Sequence, residues 1–254
     1  MRVTAVQMEI EDGAPDRNLA RALGALQSSA PSDVYLLPEL FTTGYAYDSW
    51  DAAADQHTPQ AVRRLQSFCA DRDCSVLAGM ISRHPDGRLV NRLWWLDADS
   101  TAHYDKAHLI AAFREPELLL RGESPLIVDS AGACLHASVC FDLRYPEFYR
   151  AAALDGAEAF LIISEWPAVR MQALRTLALA RAIENQAWVV LCNRTGTAKD
   201  GTEFSGGSMV IDPEGNVVAL LGSEVGTCSA DLDFERVRSF RDKFPVLAMS
   251  RRAW

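Results

Sequence analysis

No apolar run in this 254-residue chain approaches the roughly 20 residues that a membrane-spanning helix requires. A membrane role is therefore not expected. Clusters of lysine and arginine are also missing: the net charge is -9 and the pI about 5.1, so nucleic acid is not an expected partner. Six cysteines are present, but no C-x-x-C pair, which removes zinc-ribbon and thioredoxin-type readings, and no metal or cofactor is expected. Internal repeats, low-complexity segments and long linkers are absent. With 49% hydrophobic residues, the chain has ample material for one large core, and residues 1–254 read as a single domain. The opening Met1-Arg2-Val3-Thr4-Ala5-Val6 is too short and mixed for a signal peptide. A reduced, cytoplasmic setting is expected for a protein with unpaired thiols.

Apolar segments alternate between strand and helix character. Strands are expected at Arg2–Met8, Asp33–Leu37, Ser75–Ile81, Leu89–Leu96, Ala102–Tyr104, Cys134–Val139, Glu158–Ser164, Trp188–Asn193, Ser208–Asp212, Val217–Leu221 and Thr227–Asp231. Helical spacing marks Asp16–Ser28, Pro59–Asp71, Glu147–Leu154, Met171–Ala187 and Asp233–Phe240. Pro85-Asp86-Gly87-Arg88 and Pro213-Glu214-Gly215-Asn216 are hairpin turns. Buried strands interleaved with helices and hairpins imply an α/β fold of two mixed sheets facing each other, with helices outside. Cys134, Cys192 and Cys228 fall in or beside apolar runs and read as core residues.

One thiol stands apart. The run ending at Val139 stops abruptly at Cys140-Phe141-Asp142-Leu143-Arg144-Tyr145-Pro146-Glu147, and a helix pattern follows, with Pro146 suited to its first turn. Cys140 thus sits at a strand-to-helix turn. That turn lifts a side chain out of the sheet and aims the next N–H, that of Phe141, at whatever the sulfur attacks. A thiol needs a base or a cation to act as a nucleophile. Leu36-Leu37-Pro38-Glu39-Leu40 puts a carboxylate just past one apolar strand, and Tyr104-Asp105-Lys106-Ala107-His108-Leu109 puts an amine past another.

These three stretches, PEL at Glu39, YDKAHL at Lys106 and CFDLRYPE at Cys140, resemble the three signatures of the carbon–nitrogen hydrolase (nitrilase) superfamily. The likeness continues through Trp166-Pro167-Ala168-Val169-Arg170, Ala180–Gln186 and Asn193-Arg194, and spans Ala5 to Pro245. The CFDLRYP and WPxxR pair is most similar to the omega-amidase and 2-oxoglutaramate amidase branch. The resemblance implies a four-layer α-β-β-α sandwich, a homodimer or higher homo-oligomer paired through helical layers, and cysteine-dependent hydrolysis of a small amide through a thioester. It also implies an accessory glutamate after the lysine. Glu115 and Glu117 compete for that place, and counting back from Gly122 favours Glu115.

On this reading Cys140 is the nucleophile, Glu39 the general base, and Lys106 with the Phe141 N–H the oxyanion donors. Arg144 is expected to pair with a carboxylate that fixes the turn, Asp142 to accept hydrogen bonds within it, and His108 to be packed. An omega-amidase must also hold a distant carboxylate. Arg170 is the expected anchor, with Trp166, Tyr45 and Phe113 as pocket walls. Glu165 departs from this pattern, since a carboxylate facing the pocket would repel an anionic substrate and favour a neutral or cationic one. The same catalytic set would serve an N-carbamoyl amine or acid hydrolase. A non-catalytic scaffold is disfavoured by the presence of all three catalytic residue types, and nitrile hydrolysis by Phe-Asp in place of Trp-Glu after the cysteine.

Overall fold

The computed structural model describes residues 1–250. Its strands form two six-stranded mixed sheets. The first contains β1 (Arg2–Gln7), β2 (Val34–Leu36), β3 (Ser75–Arg83), β4 (Leu89–Leu96), β5 (Thr101–Asp105) and, at the far edge, Gly226–Asp231. The second contains β6 (Leu126–Ser130), β7 (Ala133–Val139), β8 (Ala159–Ser164) and β9 (Trp188–Asn193). A short ribbon of β10 (Thr195–Thr197) and β11 (Glu203–Ser205) stands apart. β12 (Met209–Ile211) and β13 (Val217–Leu220) complete the second sheet, and Gly226–Asp231 is β14. The orders are β14-β1-β2-β3-β4-β5 and β13-β12-β9-β8-β7-β6. At the centre of each, three strands run parallel: β1-β2-β3 and β7-β8-β9.

Strand alternation decides which side chains meet between the sheets. In β2 and its continuation, Val34 and Leu36 join the core shared with the second sheet, while Tyr35 and Leu37 point the other way. That outer face packs against α1 (Pro15–Ser28), through Leu19, Leu23 and Leu26. A short helical turn α2 (Trp50–Ala52) runs through a π-helical stretch into α3 (Thr58–Arg72), which adds Leu65 and Phe68 to the same face. β8 and β9 are buried along their whole length. They have the inter-sheet core on one side and helices on the other, so they read as unbroken apolar runs rather than alternating ones. After the one-turn helix α4 (Glu115–Leu118), α5 (Pro146–Leu154) and α6 (Met171–Asn185) cover the second sheet, with Tyr149, Leu174, Ala178 and Ala182 in the shared core. The C-terminal α7 is Phe234–Lys243. The four layers are helix, sheet, sheet, helix.

Two details couple the layers. The Cys192 thiol on β9 donates across the core to the carbonyls of Val6 and Leu36, at 3.3 Å each. Gly79 on β3 lets the chain at Glu39 come close: a Cβ there would lie 2.6 Å from the Glu39 Cα and 2.9 Å from the Leu40 nitrogen.

Most expected elements are present with end shifts of a few residues. Five were not expected: edge strand β6, the three-residue strands β10 and β11, and the short helices α2 and α4. Cys192 and Cys228 are buried, but Cys134 is only half-buried: it sits on β7 next to edge strand β6 rather than mid-sheet. Among the described residues, no helix is long and apolar enough to cross a membrane, and no group of three or more His, Cys, Asp or Glu side chains is placed to hold a metal ion.

Candidate active site

The site forms where three strand ends meet. β7 ends at Val139, and Cys140 adopts φ 48° as the chain enters a tight 3-10 turn, Cys140–Arg144, leading to α5. A non-glycine residue in this region is strained, and Asp142 compensates. One carboxylate oxygen accepts from the Val139 N–H (3.0 Å) and the Tyr104 hydroxyl (2.8 Å). The other accepts from the His108 N–H (3.1 Å) and lies 2.8 Å from its Nδ1. His108 also stacks on Tyr145, with ring centroids 3.7 Å apart. The segment carrying Lys106 is thereby fastened to the turn carrying Cys140.

Glu39 lies past β2, followed by Leu40 at φ 44°. The Phe41 N–H donates to the Gly79 carbonyl at 2.9 Å and the Gly79 N–H to that of Pro38 at 3.3 Å, which clamps the segment against β3. Lys106 follows β5, its N–H on the Asn91 carbonyl. A Cβ on Gly122 would fall 1.8 Å from the Asp105 carbonyl oxygen. Only glycine allows the returning chain to bond the Lys106 carbonyl, at 3.0 Å.

The side chains converge. Lys106 Nζ donates to Glu39 Oε1 and to Glu115 Oε1, each at 2.8 Å, with all three groups fully buried. Asn91 Nδ2 donates to the same two oxygens at 2.7 and 3.3 Å, and the Tyr45 hydroxyl donates to Glu115 Oε1 at 3.0 Å. Glu115 Oε2 accepts from the Ile110 N–H at 2.8 Å, and Glu39 Oε2 from the Glu165 N–H at 3.0 Å. Burial opposes the charge on Lys106, yet the two carboxylates outweigh it and hold its pKa well above the ordinary lysine value. The Cys140 thiol, 4% exposed, faces Glu39. Burial, reinforced by that carboxylate, pushes its pKa well up, against the pull of Lys106. The thiol is therefore protonated at rest, beside a group able to take the proton. Burial, with Glu115 and Glu39 adding to it, also raises the Tyr45 hydroxyl and keeps it a donor.

A cavity of about 470 Å³ adjoins this cluster, with Tyr45, Phe113, Glu165, Arg194, Lys199 and Phe204 among its walls. The Tyr45 and Phe113 rings lie 4.6 Å apart. Glu165 is fully buried. One of its oxygens accepts from Arg194 Nη1 at 3.2 Å, and the other has no partner. Burial, opposed by Arg194, pushes its pKa up to about 8.

Several expected site residues sit elsewhere or act otherwise. Arg170 is exposed in a 3-10 turn, Ala168–Arg170, and does not line the cavity; its carbonyl accepts from the Trp166 indole at 3.1 Å. The turn swings its side chain outward before α6 begins, so the cavity cations are Arg194 and Lys199. Trp166 is buried, but against Arg144 rather than in the cavity wall. Arg144 has no ion-pair partner among the described residues. It is exposed, with its guanidinium 5.1 Å from the Trp166 ring and 5.8 Å from that of Phe141. Glu117 is exposed and pairs with Arg114, leaving Glu115 as the glutamate on Lys106. Asn91, Arg194 and Asp12 were not foreseen. Two signals were available: an asparagine amid the strand run Leu89–Leu96, since asparagine is depleted in strands, and the place of Arg194 in the family-like pair Asn193-Arg194.

The family model for carbon-nitrogen hydrolases matches residues 2–242. The chain belongs to the carbon–nitrogen hydrolase family. It is 32% identical over 247 residues to a 2-oxoglutaramate amidase of Bacillus subtilis (strain 168), covering 96% of this chain and 95% of that protein. It is likewise 32% identical to the omega-amidase YafV of Escherichia coli (strain K12), covering 97% and 95%. Among solved structures, XC1258 from Xanthomonas campestris, a CN-hydrolase superfamily protein with an arsenic adduct in its active site, superposes with TM-score 0.92 at 27% identity, over 99% of this chain and 97% of that one. An amidase from Nesterenkonia sp. AN1, whose active-site cysteine has undergone Michael addition of acrylamide, gives 0.84 at 26% identity, over 96% and 98%.

Proposed function

We propose that this carbon–nitrogen hydrolase cleaves small linear amides whose far end is a carboxylate, 2-oxoglutaramate or a related dicarboxylate monoamide, and that residues 1–254 work as one domain. The observation that carries this reading is the buried cluster of Cys140, Glu39, Lys106 and Glu115. The amidase names of the relatives support the substrate class.

Glu39 takes the thiol proton as Cys140 Sγ attacks the amide carbon. The carbonyl becomes an oxyanion, stabilised by Lys106 Nζ and the Phe141 N–H. Donors fixed before the reaction supply about 2.7–4 kcal/mol each in comparable sites. Glu39 passes its proton to the departing nitrogen, the C–N bond breaks, ammonia leaves and a thioester remains. Glu39 then takes a proton from water as the water attacks the thioester, and collapse returns the thiol and the free acid. Glu115 holds Lys106 charged and oriented. Tyr45 and Phe113 flank the substrate, and Lys199, an exposed residue of the cavity wall, is the cation proposed to meet its carboxylate. The working form proposed is a cytoplasmic homodimer or higher homo-oligomer.

Ammonia release over a panel of 2-oxoglutaramate, succinamate, glutamine, butyramide and an N-carbamoyl amine tests the reading. Turnover confined to the two dicarboxylate monoamides and lost in Cys140→Ala is expected. Preference for the N-carbamoyl amine, with carbon dioxide released, would move the substrate assignment. Undiminished turnover in Cys140→Ala would overturn the mechanism.

A further inference from the structure

Glu165 presents a contradiction: a carboxyl group walls the cavity of an enzyme proposed to bind an anion. Its surroundings resolve it. Four buried carboxyl groups, Asp12, Glu39, Glu115 and Glu165, share two buried cations, Lys106 and Arg194. The four are not equally served. Lys106 and Asn91 donate to both Glu39 and Glu115, and each of these also accepts a backbone N–H. Asp12 accepts from Arg194 at 3.5 Å and from the Lys199 N–H at 2.8 Å. Glu165 has only Arg194, through one oxygen, and Arg194 is itself divided between Glu165, Asp12 and the Ile10 carbonyl. Glu165 Oε1 is buried with no hydrogen-bond partner. An uncompensated buried charge is costly, and a carboxyl so placed takes up a proton instead. Glu165 is the least compensated of the four.

We propose that Glu165 is the specificity-determining residue of this cavity: held as the neutral acid, it donates its Oε1 proton to an oxygen at the non-reacting end of the substrate, selecting amides that end in a carboxylate over amides that end in an ammonium group. This rests on the amidase reading above. Its place suits the task, because its own N–H bonds Glu39 while its side chain walls the cavity. An acceptor oxygen would complete the hydrogen bond that Glu165 Oε1 leaves unmade. The groups facing Glu165 are Arg194 after β9, Asp12 between β1 and α1, and Glu39 after β2. From across the cavity come Tyr45, Tyr47 and Asp48 of the loop before α2, and Lys199 and Asp200 between β10 and β11. Arg194 favours the ionised form, and the surrounding carboxylates favour the neutral one. A neutral Glu165 adds a donor across the cavity from Lys199; an ionised one would set a negative charge against the substrate carboxylate.

Calorimetric titration of the Cys140→Ala protein with succinamate, butyramide and β-alaninamide separates this role from turnover. Glu165 ionises near pH 8, so succinamate affinity is expected to weaken by about tenfold per pH unit above that point. Butyramide affinity should stay flat. Adding Glu165→Gln, which keeps a donor and the Arg194 contact, should flatten the succinamate profile and preserve tight binding at high pH. Tighter binding of β-alaninamide than of succinamate at neutral pH would overturn the proposal, as would a succinamate profile that neither pH nor Glu165→Gln alters. If this binding pattern holds while the Cys140 enzyme hydrolyses none of the three amides, the catalytic reading fails and the role of Glu165 stands.

Discussion

Gly79→Ala is the sharpest mechanical test of how the fold places its base. Gly79 is central in β3, where its missing side chain leaves room for the Glu39 backbone. The added Cβ would lie 2.6 Å from Glu39 Cα, 2.9 Å from Leu40 N and 2.7 Å from the Ile163 Cδ1 methyl. Ordinary contacts between carbons lie near 3.5–4.0 Å, so a shift of about 1 Å is required. The Ile163 methyl can rotate away. The Glu39–Leu40 backbone cannot yield alone, because hydrogen bonds on both sides tie it to Gly79 itself. Overpacking of this kind costs about 1–3 kcal/mol. A displacement near 1 Å of a reacting group costs about 10²-fold in rate. Urea unfolding and ammonia release from succinamate measure the two effects. Gly24→Ala is the control: its Cβ meets nothing within 4 Å, and it should gain about 0.4–1 kcal/mol in α1. A Gly79→Ala protein with an unchanged urea midpoint and more than half the normal rate would refute the claim that this close approach positions Glu39.

Other consequences follow from the buried charges. Lys106→Met should cost about 3–5 kcal/mol by leaving Glu39 and Glu115 without their shared cation. The sign with pH is fixed: the stranded carboxyls acquire raised pKa values, so their stability contribution is present at low pH and lost as pH rises. The deficit in urea unfolding should therefore be larger at about pH 8 than at about pH 5, and adding Glu115→Gln should recover part of it. His136 is buried among Phe148, Tyr149 and Phe160 with neither ring nitrogen bonded, and burial lowers its pKa from 6.5 to about 3. A depressed histidine stabilises the fold above its unfolded pKa. That stability is lost as pH falls, by about 1.4 kcal/mol per unit between roughly 6.5 and 3. His136→Phe should make the slope of stability against pH shallower by one proton over that window; an unchanged slope would show that His136 titrates normally in the fold.

The layered fold was largely legible in the chain because its central strands are the most apolar. Leu89–Leu96 and Trp188–Asn193 have the same bounds in sequence and structure. Edge strand β6 was not, since only Leu126 of Leu126–Ser130 is buried, nor were β10 and β11, three residues each and rich in glycine and threonine neighbours. The positions of Glu39, Lys106 and Cys140 at strand ends could be read locally. Their joint burial could not, because it depends on Gly79 and Gly122, whose close approaches are contacts between distant segments. The substrate end was the least legible. Arg170 stands four residues after a motif tryptophan in sequence, but a single 3-10 turn directs it outward, whereas Arg194 becomes a cavity wall only through the ribbon and the β1–α1 loop that fold over it. Arg144 lies against the rings of Phe141 and Trp166 rather than a carboxylate, and only the first of these rings is in its own stretch.

The most direct test of the central claim is the intact mass of the protein, acid-quenched during turnover of succinamate. Cys140 as nucleophile predicts a fraction of molecules heavier by one succinyl group, with the added mass on the peptide containing Cys140 and absent from Cys140→Ala. Sustained ammonia release with no acyl adduct on that peptide, and with Cys140→Ala still active, would contradict the account.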